Sequence, residues 1–349
     1  MADIYYKIDG DNIYYTNEQK EGYTLRRTGA TVSRSKYVTI ELYNDRFILS
    51  ENSSYLFNRA LNTTFNDMDK WDTSNVTDMS YIFSYCYMLP SIDLSSFNTS
   101  NVTEMDNMFY YCLALTSLNL SSFNTSNVTD MRHMFYDCQS LPSLDLSNFD
   151  TSNVIEMEGM FCGCQSLTSL NVSSFNTHRV TDMYSMFQNC LSLTSLDLSN
   201  FDTSLVTTMG YMFSTCTSLL SLDLSNFDTS RVTHMEFMFN ECQSLKTLNL
   251  TGFNVSKVTN MQRMFFNCLN LEHILANSNT DWAVEATQLT NSSGMFSGCK
   301  KLPNWDGYTD ISRANNTTST GYFGIASPWE LCDVYVKEND IWNKVEVYY

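Results

Sequence analysis

Eight cysteines recur every 26 residues, at Cys86, Cys112, Cys138, Cys164, Cys190, Cys216, Cys242 and Cys268. Thiols at a fixed interval could pair into disulfides down a column, provided adjacent sulfurs come within bonding range. They could also hold a soft metal. Zinc is disfavoured, because the column brings no second ligand at metal spacing and Cys162-x-Cys164 has no partner pair. Disulfides weigh less than simple burial. The position recurs once per unit as a core position does, and free cysteine is among the most buried residue types. Cys299 continues the column, and Cys162 and Cys332 bring the total to eleven.

A second column with chemical potential shares the period: Asp93, Asn119, Asp145, Asn171, Asp197, Asp223 and Asn249, beside Ser91, Ser117, Ser143, Ser169, Ser195 and Ser221. Such a ladder of carboxylates and hydroxyls could take a glycan, a cation or a basic peptide. It lacks the Trp, Tyr and Arg anchors that dominate binding energy, which favours a solvated face of short polar side chains. A calcium site of the β-roll kind would need Gly-rich Asp loops, and none accompanies it. No carboxylate pair stands out as acid and base. The four histidines occur at unrelated repeat phases without a Ser, Cys and Asp arrangement, and no Gly-rich loop could cradle a phosphate. The expectation is a non-enzyme with no catalytic residue, no cofactor and no metal.

The third set is aromatic. Tyr81, Tyr85, Tyr110, Tyr111, Tyr136, Tyr184, Tyr211 and Phe237 occupy positions that vary between repeats, as do Tyr87 and Phe266. Tyr and Phe at free positions are contact residues of the kind enriched in interfaces. Packing over neighbouring units is the bland alternative.

These residues are carried by one repeated unit, and a fixed period of this length marks a solenoid. In Leu141-x-x-Leu144-x-Leu146 the alternation reads as a short strand with Leu144 and Leu146 inward. Ser147–Ser152 is rich in turn formers, with Phe149 plugging the bend. Val154, Met157, Met160, Phe161 and Cys164 then fall on one face of a short helix. Ser152 or Asn153 would cap that helix, and Asp130 and Glu156 would sit in first turns where the dipole favours them. Each coil is expected to run strand, bend, helix, return. No unit can bury its apolar groups alone, so the ends need caps. Residues 1–60 are expected to form a β-rich N-terminal cap or attachment domain, 61–305 the solenoid of about nine repeats, and 306–349 a C-terminal cap with a β tail. Residues 3–16 read as a hairpin, and Val38–Leu42 with Phe47–Leu49 as a second around Asn44-Asp45. The tail from Val334 to Val347 alternates like a terminal strand pair.

The chain of 349 residues carries a net charge of −18. Residues 1–60 hold eight acidic and eight basic side chains, so the whole excess lies beyond them. Such a surface repels phosphate backbones and anionic lipid, so nucleic acid and membrane are poor partners. No apolar run of membrane-spanning length occurs. The first residues lack the basic start and apolar run of a secretory signal.

The unit Leu-Asp-Leu-Ser-Asn-Phe-Asp-Thr-Ser-x-Val-Thr-x-Met-x-x-Met-Phe-x-x-Cys-x-Ser-Leu resembles the BspA-like leucine-rich-repeat surface proteins, whose repeat also occurs in mycoplasmal lipoproteins. That resemblance implies a right-handed βα leucine-rich solenoid, of α/β class. It also implies non-enzymatic surface proteins that bind host matrix or other cells. The tail from Val334 to Val345 looks like short β-rich tails of phage and prophage structural proteins. Together these point to a recognition or adhesion protein, extracellular on a bacterial surface or on a virion. Its partner would be a protein or glycan, and a terminal domain would attach it to a larger assembly. An intracellular protein-binding scaffold or inhibitor is the alternative.

Overall fold

A computed structural model describes residues 3–27, 35–277, 280–307, 309–315, 321–325, 334–338 and 341–345; Cys332 and Val347 lie outside the described residues. The 26-residue period becomes one coil. A column of single parallel bridges runs through Asn52, Asp78, Glu104, Asp130, Glu156, Asp182, Thr208, His234, Asn260 and Asn291, and so marks ten coils.

Three stacked columns hold the coils together. Ten phenylalanine rings, Phe57, Phe83, Phe109 and onward to Phe296, stack at 5.3–5.9 Å between centroids. This is the offset parallel geometry that the ring quadrupole prefers. Beside them the valines, methionines, cysteines and leucines of the repeat are almost all fully buried. Each column cysteine, and Cys299, points its thiol at the backbone carbonyl of a phenylalanine in the preceding coil, at 2.9–3.4 Å. All ten described cysteines are free and buried. Burial pushes the thiols of Cys112, Cys162 and Cys216 up to about 12. The third column is the buried threonine of the Asp-Thr-Ser bend. Thr73 Oγ1 donates to the carbonyl of Asn98 and accepts from its N–H, and Thr99, Thr125 and Thr151 repeat the pair. A buried hydroxyl is tolerated where both its roles are filled.

The strands are short. Those in the N-terminal cap are β1 (Tyr5–Asp9), β2 (Asn12–Thr16), β3 (Thr24–Leu25) and β4 (Tyr37–Ile40), paired in the order β3-β1-β2-β4. The β1–β2 hairpin closes through Gly10, which has φ 56°. Tyr15, fully buried, donates its hydroxyl to the carbonyl of Leu56 and anchors the cap on the first coil. In the array lie β5 (Phe47–Ile48), β6 (Trp71–Asp72), β7 (Ser91–Asp93), β8 (Ser117–Asn119), β9 (Ser221–Asp223), β10 (Thr247–Asn249) and β11 (His273–Ala276). The 31-residue step after Asn260 admits α1 (Trp282–Glu285), capped by Asp281, and Trp282 stacks on Phe253 at 6.2 Å. The sheet is extended by β12 (Phe323–Ile325), while β13 (Val334–Glu338) and β14 (Ile341–Val345) form an antiparallel pair.

Two expectations are corrected. The second hairpin is not one. Tyr43 and Arg46 do bridge around Asn44 and Asp45, both left-handed, but the flanking strands go elsewhere. In fact β4 pairs parallel with β2, and β5 pairs parallel with β6. That choice sets Phe47 against Trp71 at 6.0 Å and covers the open edge of β2.

The second correction concerns the expected helix of each coil, including its caps at Ser152 or Asn153. The segment is a ribbon of consecutive turns. In Met79–Cys86 the N–H groups of Ile82, Ser84 and Cys86 bond three residues back, while those of Tyr81, Phe83 and Tyr85 bond to carbonyls of Asp106, Met108 and Tyr110 in the next coil. An α-helix would consume every N–H internally and leave nothing for the neighbour. Alternate bonding satisfies both needs, and two residues per coil become left-handed. The fold is a leucine-rich solenoid built almost wholly from turns and short strands.

Candidate binding surface

The turn ribbon explains where the aromatic residues stand. Val76, Met79, Ile82, Phe83 and Cys86 go inward, and apart from the buried Ser80 and Ser84 the residues between them go outward and repeat in columns. Tyr81 (φ 58°), Tyr85 (59°), Tyr111 (59°), Tyr211 (59°) and Phe237 (56°) occupy left-handed positions. Tyr110, Tyr136 and Tyr184 stand at ordinary positions on the same ribbon. All eight are half-buried.

The structure brings them into three groups. Tyr81 stacks on Tyr55 at 4.5 Å. Tyr85, Tyr110, Tyr111 and Tyr136 form a patch with ring separations of 4.7–5.8 Å, edged by His133 and by Tyr87. Tyr184, Tyr211 and Phe237 make a third, at 5.4 and 4.6 Å. Arg59 sits over Tyr85 at 4.7 Å, and Arg263 sits over Phe266 at 4.9 Å and Phe237 at 5.9 Å. Burial pushes the phenols of Tyr81 and Tyr184 up to about 12, so they stay protonated donors at neutral pH.

Beside the rings runs an acidic column that sequence reasoning assigned to helix N-termini. Asp78, Glu104, Asp130, Glu156 and Asp182 are the bridge residues of five successive coils, so their backbones lie ~4.8 Å apart. Asp106 and Glu158 follow in the next outward column. Oxygens of Glu104, Asp106 and Asp130 lie within 4.8 Å of one another. Arg132 binds both oxygens of Asp130, its Nε at 3.0 and 2.9 Å. Burial and then the neighbouring carboxylates hold Glu104, Glu156 and Glu158 above the usual carboxylate range, and burial does the same for Asp182. The signal for this column was its 26-residue recurrence. The element that carries it is a turn ribbon, not a helix.

The strand-face ladder has a structural task. Asp93, Asn119, Asp145, Asn171, Asp197, Asp223 and Asn249 each accept, at 2.9–3.2 Å, the N–H two residues on, and so turn the chain off the sheet. The N–H donated by Ser95, Ser147 or Ser199 holds Asp93, Asp145 and Asp197 below the usual range. Asn249 is buried, so the ladder does not reach the surface at every coil.

No helix among the described residues is long and apolar enough to cross a membrane. No curated protein matches the chain. Among solved structures, a leucine rich cell surface protein from Faecalibacterium prausnitzii is 16% identical, with 83% of this chain and 97% of that one covered, at a TM-score of 0.32. A leucine-rich repeat protein from Bacteroides ovatus is 15% identical, with 94% and 99% covered, at a TM-score of 0.33. Likeness at this level transfers no function. The repeat itself is more specific: residues 51–166, 142–222 and 192–307 each match the family described as "Mycoplasma protein of unknown function, DUF285", and the chain belongs to that family.

Proposed function

We propose that the chain is a non-catalytic recognition protein, displayed on a bacterial surface or a virion, that presents its turn face to a protein or glycan of another cell. One observation carries this reading. Bulky aromatics occupy left-handed positions at Tyr55, Tyr81, Tyr85, Tyr111, Tyr211 and Phe237, whereas in other coils the same columns hold glycine (Gly159, Gly163), asparagine (Asn107, Asn189, Asn267) or other polar residues such as Asp137, Ser185, Thr215 and Glu241. A bulky L-residue costs about 1–2 kcal/mol there, and Gly costs nothing. The half-buried rings therefore work against local stability and are retained in groups, which is the pattern of a functional surface. The strand face offers no such conflict, since its polar residues serve their own turns.

The test uses labelled full-length chain on fixed bacterial and animal cells and on a glycan array. In the variant, Tyr85→Asn, Tyr111→Asn, Tyr110→Ser and Tyr136→Ser install residues that other coils already carry in those columns. Binding should be lost in this variant and kept in a strand-face control with Asp145→Asn and Asp197→Asn. Retention in the first, or loss in the second, overturns the assignment.

A further inference from the structure

Residues 71–200 contain thirteen acidic side chains, two arginines and no lysine. On the turn face this imbalance is concentrated: among the described residues, Arg132 is the one arginine or lysine paired with the five-coil acidic column and the two carboxylates beside it, and His133 Nε2 lies 3.7 Å from Glu158. The column is held in place by the coil spacing, so its members cannot move apart to relieve repulsion.

The rings beside it supply a second kind of attraction, and the chain itself shows what they take. Arg59 lies over the first ring of the Tyr85 patch, and Arg263 lies over the ring pair Phe237 and Phe266 near the other end of the face. Both are guanidinium groups on aromatic faces, a stacking and cation–π geometry that lysine satisfies less well. Between these ends, Tyr110, Tyr111 and Tyr136 carry no such cation among the described residues. Asp137 and the carboxylates of Asp106 and Glu104 lie in the same coils. A cluster of aromatic faces in coils that also hold fixed carboxylates offers a guanidinium both stacking and charge. A neutral glycan would use the rings and leave the charge unanswered.

We infer that the turn face binds an arginine-rich, extended segment of a partner protein, its guanidinium groups over Tyr110, Tyr111 and Tyr136 and against the acidic column. This rests on the turn face being the recognition surface and adds the chemistry of what it recognises.

The test is fluorescence anisotropy of the full-length chain with a fluorescein-labelled arginine–serine repeat peptide, compared with lysine–serine and glycine–serine peptides. Saturable binding, weakened by salt, is expected for arginine, less for lysine and none for glycine. Joint Glu104→Gln, Asp106→Asn, Glu156→Gln and Glu158→Gln should weaken it about tenfold or more, as four partly screened contacts would. Tyr110→Ser with Tyr136→Ser should weaken the arginine peptide roughly fivefold and the lysine peptide less. Four Asp→Asn changes at Asp93, Asp145, Asp197 and Asp223 remove equal charge from the strand face and should change binding less than about twofold at physiological salt. Equal weakening by that control would overturn the inference, as would arginine binding that ignores the tyrosines. If the four-tyrosine variant loses cell binding but the arginine peptide neither binds nor competes, the turn face remains the recognition surface and the cationic ligand is refuted.

Discussion

Gly163→Ala separates a turn ribbon from a helix by the sign of its effect. In a helix interior the change would stabilise the protein by about 1 kcal/mol, since alanine is the better helix former. In the ribbon Gly163 has φ 76°, and a Cβ there would lie 2.1 Å from Asp137 Oδ1 and 3.1 Å from Asp137 Cα in the preceding coil. The left-handed conformation costs an alanine about 1–2 kcal/mol. Displacing the Asp137 carboxylate adds about 1 kcal/mol more. Reduced freedom of the unfolded chain returns roughly 0.4–1 kcal/mol. The net expectation is a loss of about 2 kcal/mol. Gly210→Ala is the internal control, because Gly210 is not left-handed and its nearest contacts, at 3.0 Å, are the movable ends of Glu236 and Tyr184. Gly210 is buried too, but without left-handed strain and with side-chain rather than backbone contacts its change should cost about 1 kcal/mol or less. Urea unfolding followed by far-UV circular dichroism reads the midpoint, and an unchanged slope shows that the comparison remains valid in a repeat array. A Gly163→Ala protein as stable as the wild type, or more so, would refute the turn assignment and restore the helix.

Other perturbations test other layers. Phe161→Ala, in the middle of the ring stack between Phe135 and Phe187 at 5.7 Å each, should cost about 3–5 kcal/mol by the same assay; a loss under about 1 kcal/mol would mean the stack is not the core. The buried column thiols should be unreactive to a disulfide reagent at pH 8 in native protein and react fully once unfolded, and rapid native labelling of the column would show that the coils part. The pH profile follows from opposed shifts. Glu104, Glu156, Glu158 and Asp182 have raised folded values, so they bind protons more readily when folded and stability should rise as pH falls from neutral through their range. Asp93, Asp145 and Asp197 have lowered values, so their contribution is full above the ordinary carboxylate pKa of about 4 and fades below it. Stability should therefore peak in mild acid, and Glu104→Gln with Glu156→Gln should flatten the rise. A monotonic loss from neutral pH downward would contradict the crowding of the acidic column.

Much of the molecule was legible in its period. Val154, Met157, Met160, Phe161 and Cys164 were assigned to the interior and are buried there, as are Leu144, Leu146 and Phe149. The period identifies the inward residues but not the element that carries them. Their spacing fits one face of a helix and equally fits a chain of turns that returns to the same side. The second hairpin failed for a related reason. Its turn was read correctly at Asn44-Asp45, but a turn does not dictate which strands the flanks will join. The variation of the aromatic positions between repeats marks them as free of the core. Their grouping across coils, and the cost of their left-handed backbone, could not be seen without knowing which residues the neighbouring coil holds.

Sequence alone therefore determined that identical units stack and which side chains face the axis, because hydrophobic burial follows residue type and period and is indifferent to backbone detail. Only the tertiary structure decided the form of the outer segment. A short apolar segment can satisfy its N–H groups within itself or across to a neighbour. Here, with another coil ~4.8 Å away on each side, half of those bonds go across. That one choice turned a helix into a turn ribbon and set carboxylates and tyrosines side by side on its outer face.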